Sequence, residues 1–355
     1  MTTLSTAPPT SPHQVDQRHI RSLPRWSFPV LAVAVVLGSL VLFAVTPLQG
    51  RADFIVFTAA VYAIVQSGVS AAVEGGRRSR DRLAATLTTT ALILAILPLI
   101  AVLGYTIVHG ARRFDLTFLT HSLRNIAAND PGGGAYHAII GTLEQVGIAT
   151  VIAVPLGLFV SIYLVEYARG RFGRVVSTFV DVMTGLPSIV AGLFVLALWV
   201  LILNQGYSGF AGSLALVILM IPIVVRTTEE ILRLVPDALR EASYALGIPR
   251  WRTVVSVVLP AALPGITTGV MLAISRVSGE TAPLLLTVFG NASINMSPFS
   301  GPQEGLPLFV FSESGLPNNP SIDRAWAGAL TLIVFVVLLN LTARLLIRRS
   351  VLRRG

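Results

Sequence analysis

Two side chains in "ISRVSGETAPLLL", residues 274 to 286, stand out because an apolar stretch has little reason to hold them. Arg276 and Glu280 are four residues apart, so on a helix they share one face and can reach each other. A charge in hydrocarbon costs roughly 2.5 kcal/mol or more, which makes each a candidate for function. A guanidinium offers planar paired donors to a tetrahedral oxyanion, and a nearby carboxylate neutralises it when no anion is bound. The plainer alternative is an ion pair that locks two helices together. Pro283 removes a backbone donor and clashes with the carbonyl at Gly279, so a kink is predicted just beyond Glu280. Glu144 and Asp181 also fall within apolar runs, but near their ends, where they can snorkel or pair.

Other chemistries find no footing. The five histidines lie in tails, loops or span ends, with no HExxH or GxSxG frame. Cysteine is absent, which removes disulfides, thiolate metal sites and a lipidated cysteine. All 26 basic residues are arginine. A phosphate-binding P-loop needs a lysine, so any ATP hydrolysis belongs to another polypeptide. No catalytic residue, metal site or bound cofactor is therefore predicted. The net charge of +9 invites nucleic acid as a partner, but the arginines sort by membrane side instead.

The elements that hold these residues are membrane spans. Of 355 residues, 54% are apolar and 12% charged, and the mean hydropathy is +0.76. Apolar runs near twenty residues match the length that crosses roughly 30 Å of hydrocarbon as helix. About eight spans are predicted, near 28–47, 54–73, 83–108, 137–165, 177–203, 209–226, 264–288 and 325–347. Twenty arginines fall within 18–25, 77–82, 169–174, 226–252 and 344–354, and these segments lie on one side of the membrane. Five others, Arg51, Arg112, Arg113, Arg124 and Arg324, lie on the opposite side. The bias predicts cytoplasmic termini. Residues 1–27 are polar and rich in Pro, Ser and Thr, the composition of a disordered tail. The segment "GPQEGLPLFVFSESGLPNNP" is predicted to be external and irregular. No internal repeat is apparent, so the inverted symmetry of many secondary transporters finds no support.

Between spans six and seven, "REASYALGIPRWRTVVSVVLP" is a polar helical excursion. Pro236 and Asp237 suit a helix start and Gly247 its stop. Leu239, Ala242, Ala245 and Leu246 recur at helical spacing as a narrow face. Such a helix either lies on lipid headgroups or fills a groove in a cytoplasmic partner. In span five, "TGLPSIVAGLF" places Gly185 and Pro187 where they weaken the helix, beside small residues that allow close packing or a gate hinge.

"EASYALG", nine further residues and "VVLP" resemble the EAA loop of ABC importer permeases: Glu241, Ala242, Gly247, Leu259 and Pro260 match, and Ser243 stands at the third position in place of Ala. "SGETAPLLL", "GGGAYHAIIGTL", "TGLPSIVAGLF" and "LPLFVF…DRAWAGALTLIV" resemble permeases of the bacterial phosphate-specific transport (Pst) system, their A-type (PstA) subunit in particular. The resemblance runs from about residue 83 to the C-terminus. It implies an all-α type I (MetI-like) ABC importer core of six helices within 79–355, with an added transmembrane hairpin at 28–78 and a coupling loop at about 227–263. It further implies a second, C-type permease, a homodimeric P-loop ATPase that uses ATP-Mg, an extracytoplasmic phosphate-binding protein and a lipid bilayer as partners. In that scheme Arg276 and Glu280 lie on the substrate path. Glu241 through Gly247, with Leu259 and Pro260, couple to the ATPase, and Gly185, Pro187 and Pro283 are candidate gate or hinge positions. Alternatives are a permease for sulfate or molybdate and an ion-coupled secondary phosphate carrier.

Overall fold

A computed structural model describes residues 23–24, 26–45 and 50–352. The tail expected at 1–27 lies outside these residues except for Leu23, Pro24, Trp26 and Ser27. Among the described residues, seven helices are long and apolar enough to cross a membrane, with an eighth crossing if one bent pair forms a single span. The chain divides into two compact units, Met1–Val102 and Leu103–Gly355.

The first unit holds α1 (Ser27–Val45), α2 (Arg51–Glu74) and most of α3 (Gly76–Gly110). Phe43 of α1 packs edge-on to Phe54 of α2, with ring centroids 5.2 Å apart. The α2–α3 turn is tied by Glu74, which accepts from the Leu23 N–H at 2.7 Å, the Ser70 hydroxyl at 3.0 Å and Arg82 at 2.6 Å. The remaining apolar surface of α1 and α3 is exposed, as lipid-facing helices require.

The second unit opens with the end of α3, followed by α4 (Leu116–Thr120), capped by Asp115, whose carboxylate accepts the Phe118 N–H at 2.7 Å. That bond and the adjacent Arg113 hold the Asp115 carboxyl below its ordinary range. Two long helices follow, α5 (Tyr136–Ile162), extended by a π turn at Tyr163–Tyr167, and α8 (Gly209–Arg233). Val146, Ala149 and Ala153 of α5 join Leu216, Met220 and Val224 of α8 in one buried cluster. Without water to expel, such helices associate by close packing, and small residues permit it. Gly141 shows how close: a Cβ there would lie 1.9 Å from the Glu304 carbonyl oxygen. Gly141→Ala is therefore expected to destabilise the protein by about 1–3 kcal/mol, read as a lower melting temperature of the purified protein in detergent. An unchanged melting temperature would show that the loop at Glu304 yields freely.

Three expectations need correction. Residues 177–203 do not form one straight span. The helices α6 (Gly170–Thr184) and α7 (Ser188–Val195, extended by a π turn to Ile202) meet at 104° across Gly185–Pro187. Proline pushes the residue before it away from helical geometry, which ends α6 at this point. The span near 264–288 is likewise interrupted. It begins earlier, with α10 (Arg250–Thr253) and a π turn at Val254–Val258 leading into α11 (Leu259–Ser278). It then stops before Glu280, not beyond it, and resumes as the short α12 (Ala282–Thr287). Finally, the segment expected to be irregular contains a nine-residue helix, α13 (Leu306–Ser314), with proline in its first turn, where its missing N–H costs nothing. Leu306, Leu308 and Phe309 are buried. The last helix, α14 (Asn319–Leu352), follows.

Arg324 of α14 is buried and knits this end of the unit together. It pairs with Glu313 of α13 at 2.7 Å and donates to the Asp130 carbonyl at 2.7 Å and the Ser321 hydroxyl at 2.9 Å.

Candidate transport path and coupling interface

The break between α6 and α7 and the break after α11 face the same space. A cavity of about 340 Å³ is lined by Met183, Thr184, Leu186, Pro187 and Ser188 around the first break, and by Arg276, Val277 and Glu280 at the second. Leu219, Pro222 and Ile223 of α8 complete the wall. Arg276 Nη1 donates to Glu280 Oε1 at 2.5 Å. The expected pairing is present, but it bridges a helix end: Arg276 sits in the last turn of α11, and Glu280 follows the Gly279 cap.

The two partners differ in environment. The Arg276 side chain is 65% exposed and that of Glu280 only 10%. Among the described residues, no other hydrogen-bond partner occupies Arg276. A guanidinium has five N–H donors, so a side chain that lines the cavity keeps donors beyond the one that meets Glu280. Pro283 in α12 packs on α7, where a Cβ on Gly192 would lie 2.7 Å from the Pro283 Cα. The candidate hinge residues Pro187 and Pro283 thus belong to two broken elements that touch each other. Gly185 carries no comparable contact; its added Cβ would meet only the Val182 carbonyl, at 3.6 Å.

One turn beyond Ile223, Arg226 donates to Asp181 of α6 at 2.5 Å, to the Ser177 carbonyl at 2.8 Å and to Glu229 at 2.5 Å. The span expected at 209–226 ends at Arg226, yet α8 continues to Arg233. Of the other intramembrane acids, Asp181 thus has its partner, and Glu144 accepts from Gln303 Nε2 at 2.5 Å.

The EAA-like stretch forms α9 (Asp237–Ala245), with Pro236 preceding it. Gly247 has φ +74°, a left-handed conformation that suits glycine and ends the helix. Leu239, Tyr244 and Leu246 are exposed, Leu246 at 80%, as is Trp251 beyond the turn. Ala242 and Ala245 lie between them, also exposed, so the narrow apolar face is uncovered. Glu241 is exposed and has no ion-pair partner among the described residues. Ser243 turns the other way: its buried hydroxyl meets that of Thr253 at 2.8 Å, tying α9 to α10. Leu259 and Pro260 open α11, at the end of the connection from α9.

Sequence reasoning missed what seats this helix. Arg240, largely buried, donates to Glu166 Oε1 from Nε at 3.1 Å and Nη2 at 3.0 Å. It also donates to the Val235 carbonyl at 2.6 Å and the Leu232 carbonyl at 3.0 Å. The available signal was an acid at the end of a span in a chain poor in acids, but nothing local pairs it with a residue 74 positions away.

Comparison with known proteins agrees with this architecture. Residues 153–353 match the family described as "Binding-protein-dependent transport system inner membrane component". The phosphate transport system permease protein PstA 1 of Mycobacterium tuberculosis (strain CDC 1551 / Oshkosh) is 49% identical over 273 residues, covering 76% of this chain and 89% of that protein. PstA of Yersinia pestis is 40% identical over 278 residues, covering 78% of this chain and 93% of that one. Among solved structures, a bacterial ABC transporter involved in the import of the acidic polysaccharide alginate has a similar fold, with a TM-score of 0.54 and 14% identity over 77% of this chain and 99% of that chain. Seven apolar helices among the described residues and this family make the protein a multi-pass inner membrane protein. The chain belongs to the binding-protein-dependent transport system inner membrane components, and among them to the PstA-type permeases.

Proposed function

We propose that this protein is the transmembrane permease subunit of an ATP-driven importer of inorganic phosphate, with no catalytic site of its own. The observation that carries the reading is Arg276: a guanidinium with a single partner among the described residues, in the lining of a cavity between two broken helices. Phosphate crossing the membrane borrows that charge, and Glu280 holds Arg276 between passages. The relatives named as phosphate permeases support the cargo.

The partners follow from the same reading. A homologous C-type permease completes the path, a homodimeric P-loop ATPase hydrolyses ATP-Mg, and an external binding protein delivers phosphate. Both termini and α9 face the cytoplasm, in keeping with the arginine bias. The uncovered apolar face of α9 docks into a groove of the ATPase, and Glu241 faces that partner. ATP-driven movement of α9 then shifts the elements around the Arg276 cavity.

The test is uptake of radiolabelled phosphate by vesicles containing the complete complex. Uptake is expected to require ATP inside the lumen that the ATPase faces and to survive collapse of ion gradients. It is also expected to resist competition by excess sulfate or molybdate. Uptake driven by an ion gradient without ATP would replace this reading with that of a secondary carrier.

A further inference from the structure

The seat of α9 has a feature that the docking role does not require. One short element, the π turn Tyr163–Tyr167 that ends α5, meets both α9 and the α10 that follows it. From within α9, Arg240 reaches Glu166, which is 3% exposed. After it, the Arg250 guanidinium lies over the Tyr167 ring, 5.3 Å from its centroid. The same Arg240 binds the Leu232 and Val235 carbonyls, so the end of α8, the start of α9 and the end of α5 share one guanidinium. A buried pair of this kind is a poor source of net stability but a strong fixer of geometry.

The far end of α5 is equally committed. Thr142 accepts the Leu306 N–H at 2.7 Å, and Gln145 donates to Gln303 at 3.0 Å. Both partners lie where the loop after α12 enters α13. Between these ends α5 lies against α8 closely enough that a Cβ on Gly157 would fall 2.6 Å from Val224. One continuous helical element, with Pro155 and the π turn in its course, therefore connects the mount of α9 to the loop on the opposite face. Closely packed helices move as bodies rather than deform, so a displacement imposed on α9 at Glu166 reaches Gln303 and Leu306.

We infer that α5 is a strut of the transport cycle and that Arg240 and Glu166 are positioning residues, forming the joint through which movement of α9 opens and closes the Gln303–Leu306 face. The inference rests on the reading of α9 as the ATPase-docking helix. It adds a second route of force, separate from the α11 segment that carries Arg276. Breaking the joint would leave α9 able to dock and be moved, but the opposite face would no longer follow. ATP would then be spent with little phosphate moved.

The chain's lack of cysteine allows a direct test. Glu166→Cys and Arg240→Cys are introduced together, and the complete complex is reconstituted with its ATPase and binding protein. Phosphate imported per ATP hydrolysed is measured before and after joining the two thiols with a short bifunctional reagent. Loss of the joint is expected to lower that ratio roughly tenfold, within the range seen for substitutions along coupled elements, and the cross-link to restore most of it. Glu166→Gln, which keeps the shape and one acceptor, is expected to fall between. An unchanged ratio in the uncross-linked variant overturns the inference. So does a complex that fails to assemble in both the cysteine and glutamine variants, since the pair is then purely structural. Failure of the unaltered complex to import phosphate with ATP would instead count against the proposed function, which separates the two.

Discussion

Arg276→Gln is expected to lower ATP-driven phosphate uptake by about a hundredfold while the complex still assembles, because charge-assisted hydrogen bonds worth about 1.5–3 kcal/mol each are lost from the path. Assembly is expected to survive because the Arg276 side chain is mostly exposed and has one partner among the described residues, so little packing depends on it. Arg276→Lys keeps the charge but replaces a planar fork with a point donor, so an intermediate rate is expected. Glu280→Gln probes the other half. With the counter-charge gone, Arg276 is left to hold phosphate too firmly, and uptake falls through slow release. Tighter binding of phosphate to detergent-solubilised complex would accompany that fall. Uptake unchanged in Arg276→Gln would reduce the pair to a helix lock.

The second large effect is expected at Glu241. Reversing its charge with Glu241→Arg should cut ATP-driven uptake at least tenfold, roughly the cost of a misplaced charge at a docked surface, without removing the protein from the membrane. The side chain is exposed and has no ion-pair partner among the described residues, so its own fold does not need it. The loss is expected to appear as weaker retention of the ATPase on purification or as ATP hydrolysis that no longer responds to the binding protein. Wild-type uptake in this variant would refute the coupling assignment.

Much of this arrangement could be read from the amino acids because local rules produce it. Apolar length marks the spans, and proline with aspartate at Pro236–Asp237 and glycine at Gly247 bracket α9 within a residue or two. Arg276 and Glu280 are close in sequence, so their contact needed only a helical turn. The structure adds what depends on distant segments. The 104° bend at Gly185–Pro187 was visible only as a weakness, because whether proline kinks a helix or breaks it depends on what packs there. The helix at Leu306–Ser314 was hidden by its glycine-rich and proline-rich flanks. It is held by burial of Leu306 and Phe309 and by Arg324 reaching Glu313, none of which periodicity can show. The same is true of Arg226 with Asp181, Gln145 with Gln303 and Arg240 with Glu166: each joins elements far apart in the chain. Those long-range pairs join α8 to α6, α5 to the loop before α13, and α9 to the end of α5, contacts that only the folded chain brings together.

The central claim is that α9 faces inward and receives force from another subunit, and Leu246 is the residue to test it. Its side chain is 80% exposed at the end of α9. In the naturally cysteine-free chain, Leu246→Cys provides a single thiol for two reagents applied to intact cells and to purified complex. The account predicts no labelling by a membrane-impermeant maleimide from outside the cell and an efficient short-range cross-link to a P-loop ATPase that strengthens when ATP is bound. Labelling from outside, or a purified complex in which this thiol never meets an ATPase, would contradict it.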